Sequence, residues 1–172
     1  LAVWGDSTTG IIGSAFFSGG SWTVVPVAIG QLNVGRTAVA YSANGTAVAI
    51  WEVNSIIRAS NYIGGVWQAP VVLAINSSIS TAPLGIDATG KAFATWSDIN
   101  GNVVTAIFNG IWQPGQIIST TSGNLNPVIG VAPGGTAVAT WIDSSLAGQS
   151  SAYNGTAWSL PFQFTPGPID PS

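Results

Sequence analysis

Cysteine, methionine and histidine are absent from this chain of 172 residues, and charged residues make up only 5 % of it. Without cysteine there is no disulfide framework and no thiolate site. Without histidine the Ser-His-Asp and Cys-His arrangements and every imidazole–metal site are excluded. The sequence therefore predicts no cofactor and no metal site.

Positive charge is also scarce. The three basic residues are scattered along the chain, at Arg36, Arg58 and Lys91, and the net charge is −3. A surface that follows a phosphate backbone or an anionic membrane needs clustered Lys and Arg. No apolar run reaches the roughly 18 residues of a membrane-spanning helix. We therefore expect no nucleic-acid partner and no membrane insertion.

A repeated motif organises the chain. Residues 45–51, 90–96 and 135–141 share the pattern G-x-A-x-A-x-W at a spacing of 45 residues, and residues 1–4 match its end. A second tryptophan follows each motif after 16 to 18 residues. This second set consists of Trp22, Trp67, Trp112 and Trp158. A fixed period in the forties with several short strands is typical of β-propeller blades.

Each repeat divides into four short strands, which we call A to D in chain order, separated by turns rich in Gly, Asn, Asp and Ser. Strand B is apolar on both faces, with Val48 and Ile50 on one and Ala49 and Trp51 on the other. This pattern predicts a sheet buried between two neighbouring sheets. The predicted fold is all-β: a β-propeller of four-stranded antiparallel blades of about 45 residues, about four per chain. We expect one array over 1–172, with repeats at about 1–30, 36–75, 82–120 and 127–164 and a Pro-rich tail at 165–172.

The ring can close in several ways. The first repeat lacks its strand A, and the chain starts in mid-repeat, as expected for a processed product or part of a longer protein. There are three alternatives: the tail closes a four-bladed ring, several chains share one ring, or the chain belongs to a longer propeller. A bare strand edge invites pairing with another chain, so a homo-oligomer that completes the ring is one of these alternatives.

The motif resembles bacterial repeat proteins with propeller blades of this kind, through Gly45, Ala47, Trp51, Trp67 and their copies. Blade length and the aromatic-Gly-Trp step are similar to those of the fucose-binding propeller lectins. In that family an Arg, a Glu and a Trp form a site between blades. The resemblance implies that Trp22, Trp67, Trp112 and Trp158 occupy the tryptophan position. Only the second repeat places a Glu, Glu52, beside an Arg, Arg58.

The acidic residues also follow the repeat. Asp6, Asp98 and Asp143 each lie two residues after the first tryptophan of their repeat, and Glu52 lies one residue after it. Equivalent positions in a propeller are spread around the ring, so the favoured interpretation is turn formation. A catalytic carboxylate pair and a calcium site are the weaker alternatives. For the second tryptophans, filling the gap between blades competes with stacking on a ligand.

These patterns predict a non-enzymatic binding module, extracellular or on the cell surface, that presents sites between blades to a glycan or a protein. The alternative is a structural module, without a small-molecule ligand, whose ring is completed by further blades or chains.

Overall fold

A computed structural model of the chain describes residues 1–79 and 83–164. The predicted Pro-rich tail, 165–172, lies outside these residues. Within them the chain forms strands and turns and no helix, so no helix there is long and apolar enough to cross a membrane. The strands form antiparallel sheets that follow one another along the chain, and this confirms the all-β fold.

The first sheet consists of β1 (Ala2–Asp6), β2 (Ile11–Ser18) and β3 (Ser21–Ala28). The second consists of β4 (Val34–Tyr41), β5 (Ala47–Val53), β6 (Ile56–Ile63), β7 (Val66–Trp67) and β8 (Val71–Ala74). The third consists of β9 (Leu84–Ile86), β10 (Ala92–Ser97), β11 (Val103–Phe108) and β12 (Gln116–Ile117). The fourth consists of β13 (Leu125–Val131), β14 (Ala137–Ile142), β15 (Gly148–Tyr153) and β16 (Phe162–Phe164).

Strand D departs most from the sequence-based expectation. The sequence pattern predicts strand D directly after the second tryptophan, over 68–74 and 113–119. The observed strands are shorter, and in the second sheet the outer strand is divided into β7 and β8. Pro70 and Pro114 lie in or next to the missing segments. Proline has no N–H to donate to a ladder, so it interrupts the outermost strand, where one side of the ladder is already unpaired.

The sheets pack face to face through strand B. Ala47, Ala49 and Trp51 belong to an apolar cluster with the first sheet. Val48 and Ile50 belong to a second cluster with the third sheet. The prediction that strand B is buried on both faces is therefore confirmed for β5, where Trp51 is completely buried.

Close backbone approach at the inner strands requires glycine. A Cβ added to Gly85 on β9 would lie 2.4 Å from Cγ2 of Val131 on the neighbouring β13. The equivalent Gly130 on β13 would meet nothing within 4 Å. These two glycines share a place in the ladder, opposite Phe93 and Val138 respectively. They differ because another sheet packs on the third sheet at that point, whereas no described residue covers Gly130 on the fourth sheet.

We expect Gly85→Ala to lower the free energy of unfolding by about 1–3 kcal/mol, because the new methyl group overpacks against a rigid valine. Gly130→Ala is the matched control, and we expect it to stay within about 0.5 kcal/mol of the wild type. Thermal and urea unfolding of the two variants measure the difference. Equal effects would contradict the close approach of β9 and β13.

Candidate functional site

The second tryptophans all follow strand C closely. Trp22 and Trp67 lie in β3 and β7, whereas Trp112 and Trp158 form single bridges to Phe108 and Tyr153. In the second, third and fourth sheets this tryptophan belongs to, or packs on, an apolar cluster shared with the preceding sheet. Three clefts between neighbouring sheets are thereby defined, which we call clefts 1/2, 2/3 and 3/4.

Cleft 1/2 is filled. Trp67 is 9 % exposed, and its indole Nε1–H donates a hydrogen bond of 2.9 Å to Oγ of Ser14 on the first sheet. The rings of Phe16 and Tyr62 close the cleft beside it, with centroids 4.6 Å apart. Trp67 therefore has the space-filling role that is the alternative to ligand stacking.

Cleft 2/3 lacks this internal partner. Ala59 on the second sheet is equivalent to Ser14 on the first. Each directly follows the residue that is opposite the first tryptophan of its sheet. Trp112 Nε1 is buried without a hydrogen-bond partner among residues 1–79 and 83–164. Asn61 Oδ1, two residues beyond Ala59 on the same face of β6, is likewise buried and unpaired. Unpaired buried polar atoms are rare, since each costs about 1–3 kcal/mol.

A cavity of about 500 Å³ opens beside these two side chains. Its polar lining comes from Asn61 and Gln68, and its aromatic lining from Phe108 and Trp112, whose ring centroids are 5.5 Å apart. The remaining lining consists of Ile63, Ala69, Val71, Val72, Gly110 and Ile111. The volume is within the usual range of small-molecule sites, and none of the lining side chains is charged.

Cleft 3/4 is intermediate. Trp158 packs edge-on against Phe93, with ring centroids 6.4 Å apart. Thr105 takes the place of Ser14, yet neither its Oγ1 nor Trp158 Nε1 has a partner in the described part of the chain, and both are buried. The cleft thus holds a donor and an acceptor. Its aromatic rings contact each other across the two sheets, as they do in cleft 1/2.

The structure does not bring Glu52 and Arg58 together as one site. Arg58 is opposite Trp51 in the ladder and shares its face, toward cleft 1/2. Glu52 is on the other face, where its Oε2 accepts hydrogen bonds from Ser78 Oγ and the Ile79 N–H. The carboxylate therefore fixes the 77–79 loop.

The repeated aspartates form turns. Asp6 Oδ1 accepts N–H bonds from Thr8 and Thr9, and Asp98 Oδ1 accepts them from Asn100 and Asn102. Asp143 accepts from the Ser145 side chain, from Gln149 Nε2 and from two backbone N–H groups. These bonds agree with the turn-forming interpretation. No group of three His, Cys, Asp or Glu residues that could hold a metal ion occurs within 1–79 and 83–164.

We expect Ser14→Ala to lower the free energy of unfolding by about 1–3 kcal/mol, because it leaves the buried Trp67 indole N–H without an acceptor. The reciprocal change, Ala59→Ser, adds an acceptor where Trp112 has none, and should cost less than Ser14→Ala. Chemical denaturation measures both. A larger loss for Ala59→Ser would mean that cleft 2/3 does not have the geometry of cleft 1/2.

Asp143 makes stability depend on pH. The Ser145 hydroxyl, then Gln149 and the Ala147 N–H, lower the pKa of Asp143 to about 2. A depressed folded-state pKa stabilises the protein above the unfolded pKa of about 3.9, and this contribution is lost as pH falls toward 2. We expect Asp143→Asn to lower Tm at neutral pH. The Tm difference from wild type should shrink between pH 4 and about 2, and a constant difference over that range would contradict the assignment.

No protein-family model and no curated protein matches the chain. Solved structures do match. The AofleA protein of Arthrobotrys oligospora superposes with a TM-score of 0.62 at 9 % identity, over 91 % of this chain and 51 % of its own. The Aleuria aurantia lectin, described as a six-bladed β-propeller with a fucose recognition mode, gives 0.60 at 14 % identity, over 94 % and 56 %. The SapL1 lectin, solved with α-methyl fucoside, gives 0.55 at 14 % identity, over 90 % and 57 %.

The fold is a β-propeller. These matches establish a distant structural similarity to fucose-binding propeller lectins, and at such identities they speak for the fold alone. The chain spans about half the length of the structures that it matches.

Proposed function

We propose that the chain is a non-enzymatic binding module whose main site is cleft 2/3, and that this site takes an uncharged carbohydrate. The observation that carries the proposal is the pair of buried, unpaired polar atoms, Asn61 Oδ1 and Trp112 Nε1, on two residues that line one cavity. One is an acceptor and the other a donor, so a hydroxyl group or a bridging water complements both once a side-chain rotation opens these atoms to the cavity.

The rest of the lining suits a sugar. The partly exposed ring of Trp112 offers apolar surface to the C–H side of a pyranose, and the Gln68 amide adds a further donor and acceptor. Because no lining side chain is charged, the site favours a neutral ligand over a sulfated, phosphorylated or carboxylated one. The likeness to fucose-binding lectins supports a glycan as the ligand class.

The other predicted site residues have smaller parts in this proposal. Trp158, whose Nε1 is also unpaired among the described residues, packs in cleft 3/4, and Trp67 and Arg58 lie in the filled cleft 1/2. Glu52 holds a loop, and Trp22 is 57 % exposed on a face without a neighbouring sheet. Glycan binding fits the extracellular or cell-surface location that the sequence suggests.

A protein ligand remains part of the proposal, since a peptide side chain can fill the same cavity. The second candidate function is assembly without a small-molecule ligand, in which further blades or chains complete the ring. The open apolar faces of the first and fourth sheets favour it, since Trp22 and Val138 are 57 % and 47 % exposed there.

A glycan array with fucosylated, other neutral and acidic glycans tests the main proposal, followed by calorimetry on the best neutral hit. We expect Trp112→Ala to weaken binding by at least tenfold, since stacking on one aromatic ring is worth about 1–3 kcal/mol in comparable base-stacking sites. Asn61→Ala should weaken it several-fold.

Phe162→Ala is the matched control: this exposed aromatic lies on β16, outside the cavity, and its loss should leave affinity unchanged. An array without hits, or a Trp112→Ala variant that binds like wild type, would contradict the carbohydrate site in cleft 2/3.

A further inference from the structure

The two end sheets each leave one face uncovered within the described part of the chain. On the first sheet, Trp4, Phe17 and Trp22 are 38 %, 58 % and 57 % exposed. Their equivalents in the second sheet, Trp51 and Trp67, are 0 % and 9 % exposed. On the fourth sheet Val138 is 47 % exposed, although its equivalents Val48 and Phe93 are completely buried.

The two open faces are of opposite kinds. In every internal cleft, the later sheet contributes its two tryptophans and the aromatic residue at the end of strand C. The earlier sheet contributes the face that carries Val48 and Ile50 in the second sheet. The open face of the first sheet is of the tryptophan kind, with Trp4, Phe17 and Trp22. The open face of the fourth sheet is of the receiving kind, with Val138, Thr140, Ser150 and Ala152.

The receiving face also has the internal acceptor. Ser150 follows Gln149 on β15 as Ser14 follows Gly13 on β2, and Gln149 and Gly13 are each opposite the first tryptophan of their sheet. Ser150 therefore takes the place of Ser14, whose hydroxyl accepts from Trp67 Nε1 at 2.9 Å. Trp22 takes the place of Trp67, because each follows strand C and is opposite an aromatic residue, Phe17 or Tyr62.

The receiving face has room for large side chains. A depression of about 530 Å³ lies on it, and its lining includes the small residues Gly130, Ala132 and Ala152. The equivalent region of the second sheet, around Val48, is covered by aromatic residues of the third sheet. Val48 and Phe108 belong to one apolar cluster, and Trp112 packs against it. Phe17 and Trp22 are the equivalents of these two aromatic residues on the first sheet.

We propose that the open face of the fourth sheet binds the open face of the first sheet of a second copy of this chain, head to tail. Trp22 Nε1 of one copy then donates to Ser150 Oγ of the other, and the contact creates a further cleft of the cleft 1/2 type. Such a contact is heterologous, so it closes into a ring where the rotation permits and otherwise extends. Two copies bring together eight sheets, at the upper end of the usual range of about 4–8 blades.

Light scattering after size exclusion, over a wide range of concentrations, measures the mass of the wild-type chain and its variants. We expect an oligomer for the wild type and monomers for Val138→Arg and for Trp22→Arg, which place a charge on one face each. An equimolar mixture of the two variants should form a dimer, because each retains the face that the other has lost. Ile99→Arg is the control: it changes an exposed apolar residue in the β10–β11 turn, and the oligomer should persist.

A monomeric wild type over the whole concentration range would overturn the proposal. Variants that associate separately but gain nothing on mixing would overturn the head-to-tail arrangement. The more conservative variants Trp22→Phe and Ser150→Ala test the predicted hydrogen bond between Trp22 and Ser150 even if the arginine variants fold poorly. Each should weaken association about two- to tenfold, and the double variant should lose little more than either. Additive losses would overturn the bond between these residues.

Discussion

The structure depends on face-to-face packing between sheets that carry almost no charge. A strand buried on both faces cannot use charged side chains for solubility, and its backbone groups must be paired within its own sheet. The chain meets these conditions with alanine, valine and one tryptophan per strand B, and Trp51, Trp96 and Trp141 are at most 3 % exposed. The architecture therefore excludes charge from the inner face-to-face strands, although it leaves many exposed positions elsewhere where a charge would be stable.

The same constraint explains how much the sequence could predict. The 45-residue period, the glycine turns and the doubly apolar strand B indicated the propeller fold, because each reflects packing that is repeated in every sheet. The outer strand was less predictable, since Pro70 and Pro114 act through single missing N–H groups that the period does not reveal. The separation of Glu52 from Arg58 also follows from alternation along the ladder, but only once the register of β5 and β6 is known.

The sequence predicted the kind of candidate site, a tryptophan site between blades, but not which cleft would hold it. Equivalent tryptophans have different environments: the residue opposite them changes from Ser14 to Ala59 to Thr105, and of these only Ser14 bonds to its tryptophan. A serine lets the tryptophan satisfy its own N–H and seal the cleft. An alanine leaves that N–H unpaired beside Asn61 and the cavity. The signal was present in the sequence as a Ser/Ala/Thr/Ser series at one position of strand C, but its meaning requires knowing that this position faces the tryptophan of the following repeat.

Repetition also links the binding site to assembly. A cleft needs one sheet to supply the tryptophan and another to supply the face that receives it. An open arc of sheets therefore contains one cleft fewer than a closed ring of the same number of sheets. The contrast between Gly85, which is held against Val131, and Gly130, which has nothing within 4 Å, marks the place where that last partner is missing within the described chain. An interface that covers the fourth sheet would bury Val138 and complete the cleft of Ser150 at the same time. Oligomer formation and the number of clefts are then one structural variable, and the added cleft, with Ser150 as its acceptor, is of the filled cleft 1/2 type.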